Sequence, residues 1–190
     1  AGTLNPTSQG GIDGFVAEIT SNGNAVVRST FIGTSGTDQI FGIQFDRNGF
    51  PYIMGQTTGN WTPQNAIFSN PGAKQFIGKL RPDLSGYVYT TVFGTNSTIP
   101  NISPTAFLVD RCENVYVSGW GGAIPSTTYQ NAGTTGMPVT SDAIKPTSTD
   151  NADFYFFVLA RDATTQLYGS FFGQNGGLVD HVDGGTSRFD

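Results

Sequence analysis

A 19-residue unit that occurs three times is the feature that most constrains how this chain can fold. Gly33, Gly94 and Gly173 each follow an aromatic residue by 18 positions. Similar residues recur at matching spacings inside the three copies: Phe15, Phe76 and Tyr155; Ile19, Leu80 and Leu159; Val27, Val88 and Leu167; Thr30, Thr91 and Ser170; Phe31, Val92 and Phe171. Each copy has two β-rich runs around a short polar turn, which predicts a β-hairpin.

A second phrase repeats between these hairpins. The runs "FDRNGFPYIMG" and "VDRCENVYVSG" share an Asp, a Tyr six residues later and a Gly nine residues later. They predict a second hairpin per repeat, with 40–46 paired to 51–57 in the first copy and 105–110 paired to 115–119 in the second. The final Phe-Asp of the sequence, which ends at Asp190, matches the start of a third copy.

The period is 61 residues from Phe15 to Phe76 and 79 residues from Phe76 to Tyr155. It holds four antiparallel strands, which is the composition of one blade of a β-propeller. We therefore predict an all-β fold, a β-propeller with four-stranded antiparallel blades, present as an incomplete ring. A β-sandwich or a β-solenoid is the alternative. A sandwich rarely repeats its sequence, and a solenoid coil is usually shorter than about 60 residues.

The predicted organisation has a short lead-in followed by a propeller segment. Residues 1–12 are expected to form the lead-in and residues 13–190 the segment. Within the segment we expect an outer half blade over 13–33, blades over 40–94 and 105–173, and the start of a further blade at 184–190.

The composition suits short strands joined by tight turns. Charged residues are only 12% of the chain, aromatic residues are 13%, and there are 26 glycines among 190 residues. A net charge of −5 with scattered Lys and Arg argues against a nucleic-acid partner. The single cysteine, Cys112, excludes a disulfide within the chain and a zinc-type spacing. No apolar run is long enough to predict a transmembrane segment.

The order of these motifs resembles a known family. "GFVAEI", "STFIGTSG", "DQIFGIQFDRNGFPYIMGQT", "MPVTSDAIKPT" and "DFYFFVLARD" resemble the SBBP-type β-propeller repeat. They look most like propeller segments of large Bacteroidota surface proteins associated with gliding motility, and the resemblance covers residues 13–190. It implies an extracellular or cell-surface location and export of the parent protein by the type IX secretion system. The implied partners are other blades of the same or a larger parent protein, cell-surface or secretion-system proteins, and glycans.

Loop lengths indicate where a binding function is expected. The turns inside the hairpins barely vary, whereas the connection from Gly55 to Ala66 spans 11 residues and that from Gly119 to Ala143 spans 24. Because the strands alternate in direction, the variable connections share one end of the blades, and variable loops on a rigid scaffold commonly carry binding sites. The candidate binding residues at this end are Asp38, Trp61, Trp120, Tyr129 and His181.

The long connection 120–136 is the most individual stretch of the chain. Trp120 and Tyr129 lie there among Gly, Ser, Thr and Asn, a combination that suits a carbohydrate or protein contact. The alternative is a loop packed on the neighbouring blade, with Trp120 as its anchor.

No catalytic group, metal ligand or cofactor site is predicted. His181 lies in an Asp-His-x-Asp sequence, but no nucleophile motif accompanies it, so a packing role is expected. The "DRNG" at Asp46 lacks the frame and the terminal Glu of a calcium loop. Asp46, Asp110 and Asp190 are instead predicted to accept backbone N–H bonds in the hairpin turns.

These observations predict a non-catalytic extracellular module with a structural, adhesive or protein-interaction role. The alternative is a propeller-based lectin or a glycan-active hydrolase. A hydrolase needs paired carboxylates on the variable face. For that role the sequence offers only Asp38 and the acidic residues at 180–183.

Overall fold

A computed structural model describes residues 2–122 and 131–176. The described residues form ten β-strands: β1 Gly14–Ile19, β2 Val26–Ile32, β3 Asp38–Phe45, β4 Pro51–Thr57, β5 Gln75–Leu80, β6 Tyr87–Phe93, β7 Ile102–Val109, β8 Val115–Gly121, β9 Phe154–Leu159 and β10 Gln166–Phe172. Within these ranges the only helical segment is a 3-10 turn at Arg161–Ala163, so the prediction of an all-β fold is confirmed. No helix in this part of the chain is long and apolar enough to cross a membrane.

The strands form three antiparallel sheets in chain order. β1 and β2 form a two-stranded sheet, and the other eight strands form two four-stranded meanders, β3-β4-β5-β6 and β7-β8-β9-β10. The predicted pairings of 40–46 with 51–57 and of 105–110 with 115–119 are both present. β7 begins three residues earlier than predicted, because its pairing with β8 continues past a bulge between Pro104 and Ala106. A bulge between Ile40 and Gly42 occupies the matching place in the first meander.

The first meander is the central layer of the stack and is covered on both faces. Successive side chains of a strand point to opposite faces, and β4 shows this alternation. Tyr52 on β4 joins a buried cluster that includes Phe157 of the second meander. Ile53, the next residue, joins a separate cluster with Val16 and Ile32 of the β1–β2 hairpin. The core of the molecule therefore consists of the two interfaces between the three sheets.

The first strands of the two meanders lie against each other. A Cβ atom placed on Gly42 of β3 would be only 2.7 Å from the ring of Phe107 on β7. This close approach requires glycine at position 42. It brings the leading strands of the two sheets together.

The segment before β1 contacts β2 in the same way as the linker before β9 contacts β10. The amide of Phe31 on β2 donates to the carbonyl of Asn5 at 3.0 Å, and the amide of Phe171 on β10 donates to the carbonyl of Lys145 at 3.0 Å. In both places a linker covers the outer edge of the last strand of its sheet. The sequence signal was the match between "LNPT" before β1 and "IKPT" before β9.

Candidate functional site

The variable connections contact one another at one end of the sheets. The amide of Thr37 donates to the hydroxyl of Thr58 at 2.8 Å, which joins the β2–β3 loop to the β4–β5 connection. The amide of Ala132 donates to the carbonyl of Pro100 at 2.7 Å, which joins the β8–β9 connection to the β6–β7 loop. This end of the molecule, which we call the loop face, is thus a set of loops fixed in pairs.

Asp38 lies inside the loop face and not on its surface. It is the first residue of β3 and is 1% exposed. Its carboxylate accepts hydrogen bonds from the amide of Thr34 at 2.7 Å and from the Thr34 hydroxyl at 3.0 Å. Asn101 accepts the same pair of bonds from Thr95 in the second meander, at 2.8 and 3.0 Å. Both side chains close the loop that leads into a sheet, so this carboxylate is committed to the fold.

Trp120 belongs to a strand and is buried. It lies in β8, pairs with Ser103 and Phe154 in the sheet register, and is 6% exposed. This position favours the alternative in which Trp120 anchors the connection that follows it. Five further residues weighed in the sequence analysis lie outside the described part of the chain: Tyr129, Asp180, His181, Asp183 and Asp190.

Trp61 is the predicted binding residue that borders an open recess. Its indole stacks on Phe76 with ring centroids 4.0 Å apart and planes 9° apart, and it meets Tyr87 edge-on at 6.2 Å. The recess has a volume of about 300 Å³. Its lining residues include Asn5, Asn60, Trp61, Thr62, Gln64 and Tyr87. Trp61 and Tyr87 are both half-buried, so each contributes to the core and to this surface.

The opposite end of the sheets carries the repeated hairpin turns. Asp46 accepts hydrogen bonds from the amides of Asn48 at 2.8 Å and Phe50 at 3.0 Å. Asp110 accepts them from the amides at the same offsets, at 2.7 and 2.9 Å. Burial acts to raise the pKa of each carboxyl, but these amides, together with Lys79 at Asp46 and the side chains of Asn114 and Tyr116 at Asp110, outweigh it and hold each pKa below its usual value. These are the contacts that a turn role requires of the repeated Asp.

A buried ion cluster joins the two meanders at this turn end. The Lys79 ammonium on β5 lies 3.1 Å from the Asp46 carboxylate and 2.7 Å from the Glu113 carboxylate. The three side chains are 7%, 0% and 4% exposed, respectively. The Tyr52 hydroxyl donates to Glu113 at 3.2 Å, and the ammonium lies 4.8 Å from the centre of the Phe50 ring. Lys79 on β5 therefore links the β3–β4 turn of the first meander to the β7–β8 turn of the second.

The protonation states of the ion cluster suit a structural role and not a catalytic one. Burial acts to lower the pKa of Lys79, but its hydrogen bond to Glu113 and the nearby carboxylate of Asp46 outweigh it and raise that pKa. The hydrogen bond from Lys79 in turn lowers the pKa of Glu113, against the effect of burial. The amine therefore stays protonated near neutral pH, and a protonated amine is neither a nucleophile nor a general base.

Glu113 holds its place in the ion cluster with an unusual backbone conformation. Its φ is 69°, in the left-handed region, and Gly49 has a φ of 81° at the same position of the first turn. A residue with a Cβ costs about 1–2 kcal/mol there, and glycine avoids this cost. In the sequence, the first turn reads "DRNG" and the second reads "DRCE". The sequence near Glu113 does not show that this residue has a partner, because Lys79 lies far away along the chain.

The remaining chemistry-bearing groups are dispersed. Among the described residues, no group of three or more His, Cys, Asp or Glu side chains could hold a metal ion. Cys112 is exposed in the second turn. The best-formed features of this part of the chain are therefore the recess beside Trp61 and the ion cluster.

A scan against protein-family models and a search of curated proteins both found no match to this chain.

Proposed function

We propose that this chain is a segment of an SBBP-type β-propeller in a Bacteroidota surface protein that is exported by the type IX secretion system and linked to gliding motility. In this proposal it is a non-catalytic extracellular module. Its stacked sheets form a rigid scaffold, and its loop face makes structural or adhesive contacts with other proteins or glycans.

One observation carries the scaffold role, namely the different burial of equivalent residues in the three copies of the 19-residue unit. Phe76, Leu80 and Val92 of the second copy are each 0% exposed, because they face the preceding hairpin. Tyr155, Leu159 and Phe171 of the third copy are at most 3% exposed, because they face the preceding meander. Phe15, Ile19 and Phe31 of the first copy are 68%, 60% and 37% exposed.

Burial also differs between the first strands of the two meanders, β3 and β7. Val109 on β7 is 9% exposed, whereas Phe45 at the equivalent place on β3 is 60% exposed. Ile43, which matches Phe107, is 46% exposed. Burying Ile43 and Phe45 needs the two strands that would complete the sheet of β1 and β2, whereas burying the exposed side chains of the first copy needs a further sheet on the outer face of that hairpin. Continued stacking of four-stranded sheets around their first strands is the architecture of a propeller.

The division between constant and variable residues supports the adhesive role. The residues that repeat are turn formers and core side chains, such as Asp46 and Asp110 or Phe76 and Tyr155. The connections of the loop face vary in length and are rich in Ser, Thr, Asn and Gly. Loops of this kind on a rigid frame form wet, adaptable contact surfaces.

Exchanging the long connection tests this role. Residues 122–136 are replaced by residues 58–60, which begin the corresponding connection of the first meander. We expect the β-sheet circular dichroism signal to be kept, because the exchange leaves the strands and both turns intact. Retention of the fluorescently labelled chain on intact cells of its source bacterium should fall by about tenfold or more, as expected if the loop supplies about 1.4 kcal/mol of binding.

A matched control replaces the exposed turn 21–24, at the opposite end of the sheets, by Gly-Gly-Ser-Gly. This variant should attach to cells as the unmodified chain does. Unchanged attachment of the loop-exchange variant, with its fold intact, would contradict the adhesive role of this connection. Hydrolysis of a glycan by the purified chain would replace the proposal by an enzyme.

A further inference from the structure

We propose that the recess beside Trp61 binds a neutral oligosaccharide. Four separate parts of the chain form it: the residues before β1 including Asn5, the loop 33–35, the linker 60–64, and Tyr87 of β6. Its volume of about 300 Å³ is at the lower end of the range for ligand pockets and suits about one or two sugar rings. The site lies on the first meander and its N-terminal neighbour, so it does not depend on how many blades the parent protein has.

The polar lining of the recess selects for hydroxyl groups and against charge. Among the residues that the structure describes, none that lines the recess is Lys, Arg, Asp, Glu or His. The lining instead combines side-chain amides, such as those of Asn5, Gln9, Asn60 and Gln64, with hydroxyl groups. An amide both donates and accepts hydrogen bonds, as a sugar hydroxyl does, so the two groups are matched. A phosphate or carboxylate ligand would have no counter-charge on the wall of the recess and would lose hydration on entering.

Several of these polar groups are uncommitted. The side-chain amide of Gln64 and the hydroxyls of Thr62 and Tyr87 make no hydrogen bond to any other residue that the structure describes. The Gln64 backbone, by contrast, is fixed, because it exchanges hydrogen bonds of 3.0 and 2.9 Å with the backbone of Thr90. The linker is therefore held in place while the side chains of Thr62 and Gln64 remain available to a ligand.

Trp61 provides a rigid aromatic wall. Phe76, which is fully buried, covers one face of the indole at 4.0 Å, and the rest of the ring borders the recess. A sugar ring presents C–H groups on its faces and hydroxyls at its rim, so it can pack on an aromatic wall while its hydroxyls reach the amides. A wall that is already fixed loses little conformational entropy on binding.

The recess is specific to this linker and is not a general feature of the repeat. The second meander has "TGMPVT" where the first has "GNWTPQ". Met137 of that second linker is 3% exposed and belongs to the core cluster between the meanders. The frame of the linker is thus shared, whereas Gly136, Met137 and Thr140 of the second linker replace the aromatic wall and the two amides that the first linker supplies.

A titration followed by ¹H–¹⁵N NMR tests the proposal directly. The probes are maltotriose, cellotriose, xylotriose, mannotriose and chitotriose, each added to the full chain. We expect at least one of them to shift the amide signals of residues 60–64 and 33–35, with a Kd of about 1 mM or tighter. Trigalacturonic acid, which has a similar size but carries negative charge, should not shift them.

Gln64→Ala combined with Thr62→Ala should weaken binding by about tenfold, the loss expected for two modest hydrogen bonds. The matched control is Gln39→Ala, which removes an exposed amide from β3 outside the recess and should leave binding unchanged. Unshifted signals outside the recess show that each variant is folded. The proposal is overturned if no neutral trisaccharide shifts these residues, if the double variant binds as well as the unmodified chain, or if the acidic sugar binds more tightly. Because the loop-exchange variant leaves the recess intact, the two tests fail independently.

Discussion

Replacing Lys79 by Met should lower the free energy of unfolding by about 3–5 kcal/mol, the cost of removing one partner from a buried ion pair. Methionine keeps most of the volume of the lysine stem, so the loss reports on the charge. Without the ammonium, the carboxylates of Asp46 and Glu113 are left buried between the two meanders. Denaturant-induced unfolding, followed by circular dichroism, gives the free energy.

Arg161 provides a matched control for this substitution. Its Nε lies 3.7 Å from the same Glu113 carboxylate, but its side chain is 60% exposed. Arg161→Ala should therefore cost less than about 1 kcal/mol, as for most exposed pairs. Equal losses for the two variants would show that Lys79 does not act as a buried lock.

The ion cluster also predicts how stability depends on pH. The pKa values of Asp46 and Glu113 are lowered from ordinary values of 3.8 and 4.5. Their contribution is therefore present above those values and is lost as the pH falls through the lower values of the folded state. The pKa of Lys79 is raised from 10.5, so its contribution is present below that value and is lost as the pH rises through the higher folded value. The denaturant concentration at the midpoint of unfolding should be constant near neutral pH and should fall in acid. In Lys79→Met this fall in acid should be smaller.

Phe157→Ala should destabilise the chain by about 3–5 kcal/mol, as expected when a fully buried aromatic side chain is removed. Phe157 on β9 is 1% exposed and stacks on Phe93 of β6, with centroids 4.4 Å apart and planes 11° apart. Its ring also packs against that of Phe68 in the linker between β4 and β5, with ring centroids 5.7 Å apart. The substitution opens a cavity at the centre of the interface between the two meanders. Thermal unfolding should shift to lower temperature in a single transition.

Phe172 is the control for this second substitution. It lies on the neighbouring strand β10, is 63% exposed, and meets Phe156 edge-on at 6.2 Å. Phe172→Ala should change stability by less than about 1 kcal/mol, because little buried area is lost. If Phe157→Ala were as mild as this control, the packing of the two meanders on each other would not be the main source of stability.

The sequence predicted the strands and their pairing because hairpins carry local signals. The spacing from Asp46 to Gly55 recurs from Asp110 to Gly119, and in each case it spans a turn and the strand that follows. The start of β7 was missed because Pro104 is normally a poor strand residue, and it is accepted here beside a bulge on the edge strand of the sheet. The contact of the segment before β1 with β2 was not predicted, because the match of its "LNPT" to "IKPT" is only four residues long.

The candidate site was predicted less well, because burial on the loop face depends on contacts between distant loops. Asp38 and Trp120 are polar or amphipathic residues next to variable connections, and nothing local shows that both are buried. The bond between Lys79 and Glu113 joins residues of different repeats, and neither residue is repeated. Trp61 was selected for its position, but the recess beside it also needs Asn5, which the sequence places far away.

The central claim is that the sheets are successive copies of one unit that stack by the same contacts. A second copy of residues 38–65, inserted directly before Thr3, tests it, because this adds the two strands that would complete the sheet of β1 and β2. Among the described residues β1 has a strand partner along one edge only, whereas β5 and β9, its equivalents, are paired along both edges.

The measurement is amide hydrogen exchange along β1, with a scrambled copy of the insert as the control. The account predicts that exchange on β1 slows by about 100-fold or more, toward the rates of β5 and β9. It also predicts that Ile43 and Phe45 become protected while Phe15 stays exposed. Unchanged exchange on β1, with the inserted residues exchanging as an unfolded chain, would contradict it.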